Sequence, residues 1–443
     1  MQAKFKRIPG AIVAPKGFQA AGVFCDIKRL GTGKGSHKGA KRDLALLVSD
    51  KPCAVAGMFT TNQICAAPVK VCLDRVARGA AQAVVINSGN ANACTGKQGL
   101  EDAKTMTRLT EQVLRLKAGY ALVGSTGRIG VALPMKQVKA GIQAAAKELG
   151  ATEDHAARAA EAIMTSDSRP KQVAIEFALG GRRVRLGGMC KGAGMIQPGM
   201  SGTGRRPAAQ PQGLHATMLA FITTDVVIES KLLQSALQEA VANSFNRITV
   251  DGDMSTNDTV LVLANGRAGN TSFQSGSRDS RIFGAALQYV CLELAKMIVR
   301  DGEGVHRVVT VRVTRAKSLA DADTAARSVA NSALVKTSWH GGDPNWGRII
   351  DALGYSAATV VENKVDIGYS APGSRQIVWS LKRGQPTSAT YRTLCAAVEP
   401  LEFDLHIRLN LGVGSAVMYA ADLTEQYVDF NKGDVTDPST LGG

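Results

Sequence analysis

The chain of 443 residues lacks most of the short signatures that disclose a function at a glance. No Cys-x-x-Cys pair occurs among its eight cysteines, Cys25, Cys53, Cys65, Cys72, Cys94, Cys190, Cys291 and Cys395. A chain this long is stable without staples, so reduced thiols are expected rather than a disulfide framework. The six histidines show no His-Glu-x-x-His and no other ligand spacing, which leaves a metal without support. No apolar run approaches the ~20 residues of a membrane span; among the longest are Thr217–Thr223 and Thr259–Ala264, and no transmembrane segment is expected. The N-terminal MQAKFKRIPG has basic residues but no apolar stretch behind them, so no secretory signal is read and a cytoplasmic address is expected. A Gly-x-Ser-x-Gly elbow is absent too, which removes the central element of an α/β-type serine hydrolase.

What is present is an ordinary globular composition, 45% hydrophobic and 20% charged, enough for one full core or two. Fifty-three Lys and Arg against 37 Asp and Glu give a net charge of +16. Part of that excess sits in DIKRLGTGKGSHKGAKRD, residues 26–43. This stretch has none of the interleaved aromatics of a nucleic-acid stacking platform, so it reads as a solvated loop and no nucleic-acid partner is expected. Its GTGKGSHKG fits neither phosphate-loop pattern. The acidic run Asp251–Asp258, DGDMSTND, has Thr256 where a calcium loop needs glycine, so it reads as a hydrogen-bonded turn.

Strand-like runs alternate with helical ones, which makes the fold class α/β or α+β. DLALLVSD (43–50), AQAVVINSG (81–89), ALVGSTG (121–127), VAIEFAL (173–179), RVRLGGM (183–189), TVLVLA (259–264), RVVTVRV (307–313) and FDLHIRLNL (403–411) read as strands. Residues 100–119, 229–245, 281–299 and 319–334 carry helical spacing. Between GMIQPGM and ATMLAFITTD, Ser201–His215 packs Gly, Pro, Gln and arginines into a flexible surface loop inside one fold.

The segments CKGAGMI (190–196), HATMLAFITTD (215–225) and NSFNRITVDGDMSTNDTVLVLANG (243–266) resemble the ornithine acetyltransferase family, the bifunctional glutamate N-acetyltransferases. The resemblance spans nearly the whole chain. It includes GAIVAPKGFQAAGV, FTTNQICAAPV, VINSGNANACTGKQGL, GSTGRIGVALPM, MTSDSRPK, IVRDGEGVHRV, DPNWGRI and the C-terminal NKGDVT.

That resemblance implies a precursor that cleaves itself between Ala216 and Thr217 into an N-terminal chain, 1–216, and a C-terminal chain, 217–443. Taken alone, Thr217 would read as the first residue of a buried strand. In the family, the freed threonine is the nucleophile, and its new α-amine, of pKa ~8, serves as its own base. The oxyanion hole falls on Thr126 and Gly127, and substrate contacts on Thr165, Lys191, Thr217, Glu303, Asn431 and Thr436. The implied reaction is a ping-pong transfer of acetyl from N-acetylornithine to glutamate, in arginine biosynthesis, with acetyl-CoA as a further donor in bifunctional members. No cofactor is implied. The implied fold is a layered sandwich, a two-layer β core flanked by helices, with a smaller C-terminal α/β lobe and two cleaved protomers joined as a heterotetramer.

Some positions depart from the family pattern: the insertion Ser201–His215 before the cleavage site, Ala193, Met254, Arg128 and the tail DPSTLGG. The insertion is expected to slow maturation by relaxing the scissile geometry. Two rival readings stay open at this stage, a related self-cleaving aminopeptidase and an RNA-binding protein using its basic loop.

Overall fold

The computed structural model describes residues 5–28, 41–205 and 218–432. The organising element is a strand of 17 residues, Leu44–Thr60, longer than the DLALLVSD run predicts. It continues through Lys51 and Pro52 because its register shifts between Val48 and Cys53. Such a bulge spares the proline a ladder bond that it cannot donate. Before the bulge the strand pairs with Phe18–Val23 and with Ala83–Asn87; beyond it, Ala54–Phe59 pairs with Thr259–Ala264. One strand therefore serves two halves of a sheet.

Among the described residues that sheet has ten strands. Its main path runs Lys6–Arg7, Lys171–Leu179, Arg182–Lys191, Leu219–Thr224, Thr259–Ala264, Leu44–Thr60, Ala80–Asn90, Ala121–Arg128. The halves face each other: a Cβ built on Gly124 would lie 3.1 Å from the ring of Phe221. Leu219, Phe221, Leu261 and Leu263 share a core with Val84, Ile86 and Leu122, whereas Ala220, Ile222, Val260 and Val262 pack with Leu233, Leu237, Phe283 and Leu287. This alternation is the period of two that a strand imposes.

Helices Ala67–Val76, Gly96–Leu114, Met135–Lys147 and Glu153–Ala162 cover one outer face, and Ser230–Ala242 and Arg278–Arg300 the other. Arg278–Arg300 is long and apolar enough to cross a membrane, with a mean hydropathy of 1.6. Its Phe283, Leu287, Val290, Leu294 and Ile298 are instead buried in the second core. Ser277 caps its start by accepting the Ser280 amide at 3.1 Å. The two-layer β core flanked by helices is thus observed.

The smaller C-terminal α/β lobe is present as well. Its sheet orders Ile248–Thr249, Gly414–Ala421, Val308–Ala316, Glu402–Arg408, Asp366–Ser370, Val378–Lys382 and Gln385–Pro386, with a core around Val311, Ile367, Phe403 and Leu405. The helix expected over 319–334 is two helices, Leu319–Asn331 and Ala333–His340. Ser332 adopts extended backbone between them, and its hydroxyl accepts the Val335 amide. A serine that can cap competes with helix continuation, which periodicity alone does not register.

Candidate active site

Ala216, Thr217 and Thr436 lie outside the described residues. The described site therefore begins at Met218, which is fully buried at the start of strand Leu219–Thr224. Its amide donates to Asp258 Oδ1 at 2.6 Å, and its carbonyl accepts the Thr259 amide at 3.1 Å. The strand ladders explain this anchoring: Thr259 pairs with Leu219, and Lys191 pairs with Leu219 from the other side.

Thr126 and Gly127 end the strand Ala121–Arg128. Gly127 has φ +129°, and an added Cβ would fall 2.3 Å from the carbonyl carbon of Gly89. Only glycine fits there. Thr126 is buried, and its hydroxyl has no hydrogen-bond partner among the described residues. A buried hydroxyl left without a partner costs ~1–3 kcal/mol, so an orphan of this kind suits a donor awaiting a ligand.

Two residues that the sequence reading left without a role tie these parts together. Asn257 Nδ2 donates to the carbonyls of Ser125 at 2.8 Å and Ala91 at 2.7 Å, which locks the turn before Asp258 against the strand that carries Thr126. Asp258 is fully buried, and its Oδ2 has no partner within hydrogen-bond distance among the described residues. Burial pushes its carboxyl well up, against the opposing pull of the Met218 amide, the Lys191 ammonium and the Ser255 amide. Both residues stand in the DGDMSTND block, the one signal that could have found them.

Lys191 closes strand Arg182–Lys191 and is buried. Burial lowers its pKa, Lys171 adds to that, and Asp167, Glu303 and Asp258 oppose it. Beside it, Asp167 accepts the amides of Thr165 at 3.0 Å and Gly192 at 2.7 Å, and Lys171 Nζ at 2.5 Å. Burial alone would raise Asp167, but Lys191, Lys171 and the Gly192 amide hold it at about 2. Lys171 also bonds Asp301, which accepts from Ser168.

Glu303 completes this wall. Its amide donates to the Ala193 carbonyl at 3.1 Å, and its Oε2 accepts Asn431 Nδ2 at 2.9 Å. A Cβ on Gly194 would lie 2.3 Å from the Glu303 carboxylate, so a side chain there would displace that carboxylate. Thr165, Lys191, Glu303 and Asn431 therefore converge through Asp167 and the Lys191–Gly194 backbone. Asp258 links them electrostatically to the Met218 side.

The grouping with metal-ligand spacing among the described residues is His306, His340 and Asp422, in the C-terminal lobe. His340 already faces Asp422 at 3.3 Å and Glu425 at 3.1 Å, and the cations Lys336 and Arg307 stand beside the group. Two open surface cavities, about 610 and 460 Å³, are lined by Thr314, Arg315 and Asn410 and by Lys70, Arg75 and Lys104, none of them a candidate site residue.

The ArgJ family model matches residues 20–434. An arginine biosynthesis bifunctional protein ArgJ of Symbiobacterium thermophilum is 46% identical over 424 residues, covering 96% of this chain and 98% of that relative. The ArgJ of Geobacter sulfurreducens is 42% identical, covering 94% and 98%. Among solved structures, the ornithine acetyltransferase of Mycobacterium tuberculosis, complexed with ornithine, is 36% identical. It covers 45% of this chain and all of that one, with a TM-score of 0.40.

Proposed function

The chain belongs to the ArgJ family of arginine-biosynthesis ornithine acetyltransferases, and from that premise we propose that Thr217 is its nucleophile, freed by self-cleavage after Ala216. The observation that carries this reading is the buried Thr126 hydroxyl, without a hydrogen-bond partner among the described residues, on a strand tied through Asn257 to the turn whose Asp258 accepts the amide of Met218, the residue next to Thr217.

The Thr217 hydroxyl attacks the acetyl carbonyl of N2-acetylornithine while its α-amine takes the proton. The Thr126 hydroxyl and the Gly127 amide receive the oxyanion; fixed donors of this kind are each worth ~3–4 kcal/mol of the barrier. Collapse returns the proton to the α-nitrogen of ornithine, which leaves, and an acetyl ester remains on Thr217. The glutamate amine then attacks that ester, so N-acetylglutamate is released and the free hydroxyl restored.

The buried ammonium of Lys191 suits the α-carboxylate common to both substrates, with Thr165 and Thr436 as hydroxyl donors. Glu303, held by Asn431, takes the amino group. Acetyl-CoA as a second donor, the absence of a cofactor, a cytoplasmic location and a tetramer of two N-terminal and two C-terminal chains belong to the same proposal. Intact and fragment masses of wild type beside Thr217→Ala test it. Wild type yields two fragments that together account for the 46.5 kDa chain plus one water, and transfers acetyl from acetylornithine. An uncut wild type with full activity, or an active Thr217→Ala, overturns it.

A further inference from the structure

Two strands bring two lysines together at the substrate wall. Lys171 opens Lys171–Leu179, Lys191 closes Arg182–Lys191, and Lys171 pairs across the ladder with Cys190, the neighbour of Lys191. Both lysines are buried, which a fold tolerates only where opposite charge is at hand. The carboxylate that answers both is Asp167, whose side chain is itself wholly buried. Its Oδ1 accepts Lys171 Nζ at 2.5 Å and the Gly192 amide at 2.7 Å, and its Oδ2 accepts the Thr165 amide at 3.0 Å. Gly192 has φ +150°, a backbone that side chains rarely adopt, so the residue that follows Lys191 is suited to leave the strand and give its amide to Asp167.

Asp301 also accepts Lys171 Nζ, and it takes the Ser168 amide at 3.1 Å. One ammonium between two carboxylates leaves this trio one negative charge in excess, and the Lys191 ammonium balances it. None of the three has a part in the acetyl transfer described above. Resting on Lys191 as the group that takes the substrate α-carboxylate, we infer that Asp167 is the positioning residue of that subsite: it fixes the Thr165 and Gly192 amides on either side, and its charge is the standing counter-ion of the Lys191 ammonium.

The charged groups that act on Lys191 make Asp167 the decisive one. Burial lowers the lysine pKa; Asp167 opposes this most strongly, Lys171 reinforces it, and Glu303 and Asp258 oppose it less. Glu303 is engaged with Asn431, and burial drives Asp258 toward its neutral form. Without the Asp167 charge the ammonium gives up its proton at lower pH, and a neutral amine no longer attracts a carboxylate.

Asp167→Asn tests the inference. Asparagine keeps an oxygen for Gly192 but sets an NH2 group against the Thr165 amide, and the charge is gone. KM and kcat for acetylornithine are measured from pH 6 to pH 10 on folded enzyme whose maturation is checked by intact mass. Asp301→Asn is run beside it, because it opens the same buried network and leaves the Asp167 charge in place. In wild type KM rises on the alkaline side as Lys191 loses its proton. In Asp167→Asn that rise moves at least ~1 unit toward lower pH, with the loss in KM rather than kcat, while Asp301→Asn keeps the wild-type position. An unmoved rise in Asp167→Asn overturns the inference, and so does an equal displacement in Asp301→Asn, which would trace the effect to a loosened fold. Asp167→Glu decides the matter should the asparagine variant not fold: with the charge kept and the amide contacts displaced, KM is higher at every pH and its alkaline rise stays in place. Wild-type KM values in Asp167→Glu overturn the positioning of the two amides. Lys191→Met is the separate control, since a wild-type KM there removes Lys191 from carboxylate binding and with it the underlying reading.

Discussion

At the scale of single residues, the site is a set of groups left unsatisfied by the fold, and each has a measurable consequence. Replacing Thr126 by valine removes the orphan hydroxyl at nearly constant volume. Turnover of acetylornithine is expected to fall ~10²–10³-fold, while the thermal midpoint does not drop, since no hydrogen bond is lost. Calorimetry and an acetyl-transfer assay on one preparation check both halves. Asp167 behaves in the opposite way. Its carboxylate is held at about 2 in the fold against ~3.9 unfolded, so it contributes about 2 kcal/mol at neutral pH. That stability is complete above the unfolded value and is lost as pH falls through about 2. The midpoint of Asp167→Asn should therefore lie below wild type at pH 6 and converge on it toward pH 2. Thr126, Gly127, Lys191 and Glu303 were legible because their motifs are family blocks. Asp167, Asn257 and Asp258 stood in such blocks without a readable role, because what singles them out is burial and the direction of a lone pair.

At the scale of elements, the sequence conveyed type better than extent. Period-two alternation in TVLVLA marked a strand and also which residues would face each core, as Leu261 and Val262 do. It missed the run of Leu44–Thr60 through Pro52, because proline normally ends a strand and only the bulge permits it. The split at Ser332 was missed for the complementary reason, a local cap that outweighs helical spacing. Glycines fix how elements meet, and Gly194 is the sharpest case near the substrate wall. Alanine there would drive its methyl into the Glu303 carboxylate. Gly194→Ala should raise KM for acetylornithine at least ~10-fold, a loss of about 1.4 kcal/mol, with maturation at Thr217 unaffected. Equal KM values for the two proteins would detach Glu303 from substrate binding.

For the whole molecule, the sheet itself determines what self-cleavage can do. Leu219–Thr224 lies between Arg182–Lys191 and Thr259–Ala264, and Thr259–Ala264 pairs in turn with Leu44–Thr60. With the proposed cut after Ala216, the strands C-terminal to it would be held on both flanks by strands N-terminal to it. Ile248–Thr249, on the edge of the C-terminal sheet, and Arg300 paired with Glu402 tie the second lobe to the same body. Cutting one bond leaves these ladders and both shared cores in place, so the two fragments should copurify as one particle. In guanidinium they should separate only in the transition that abolishes near-ultraviolet circular dichroism. Fragments that part at lower denaturant, with each retaining its signal, would show two independently folded units and remove the shared sheet as the reason they stay together. Shortening the Ser201–His215 insertion beyond Ser201 gives the companion result. Met200–Ser201 is already paired to Phe59–Thr60 in this sheet, so a tighter connection to Met218 should strain the scissile bond. Maturation, followed by intact mass, should then proceed faster than in the full-length chain.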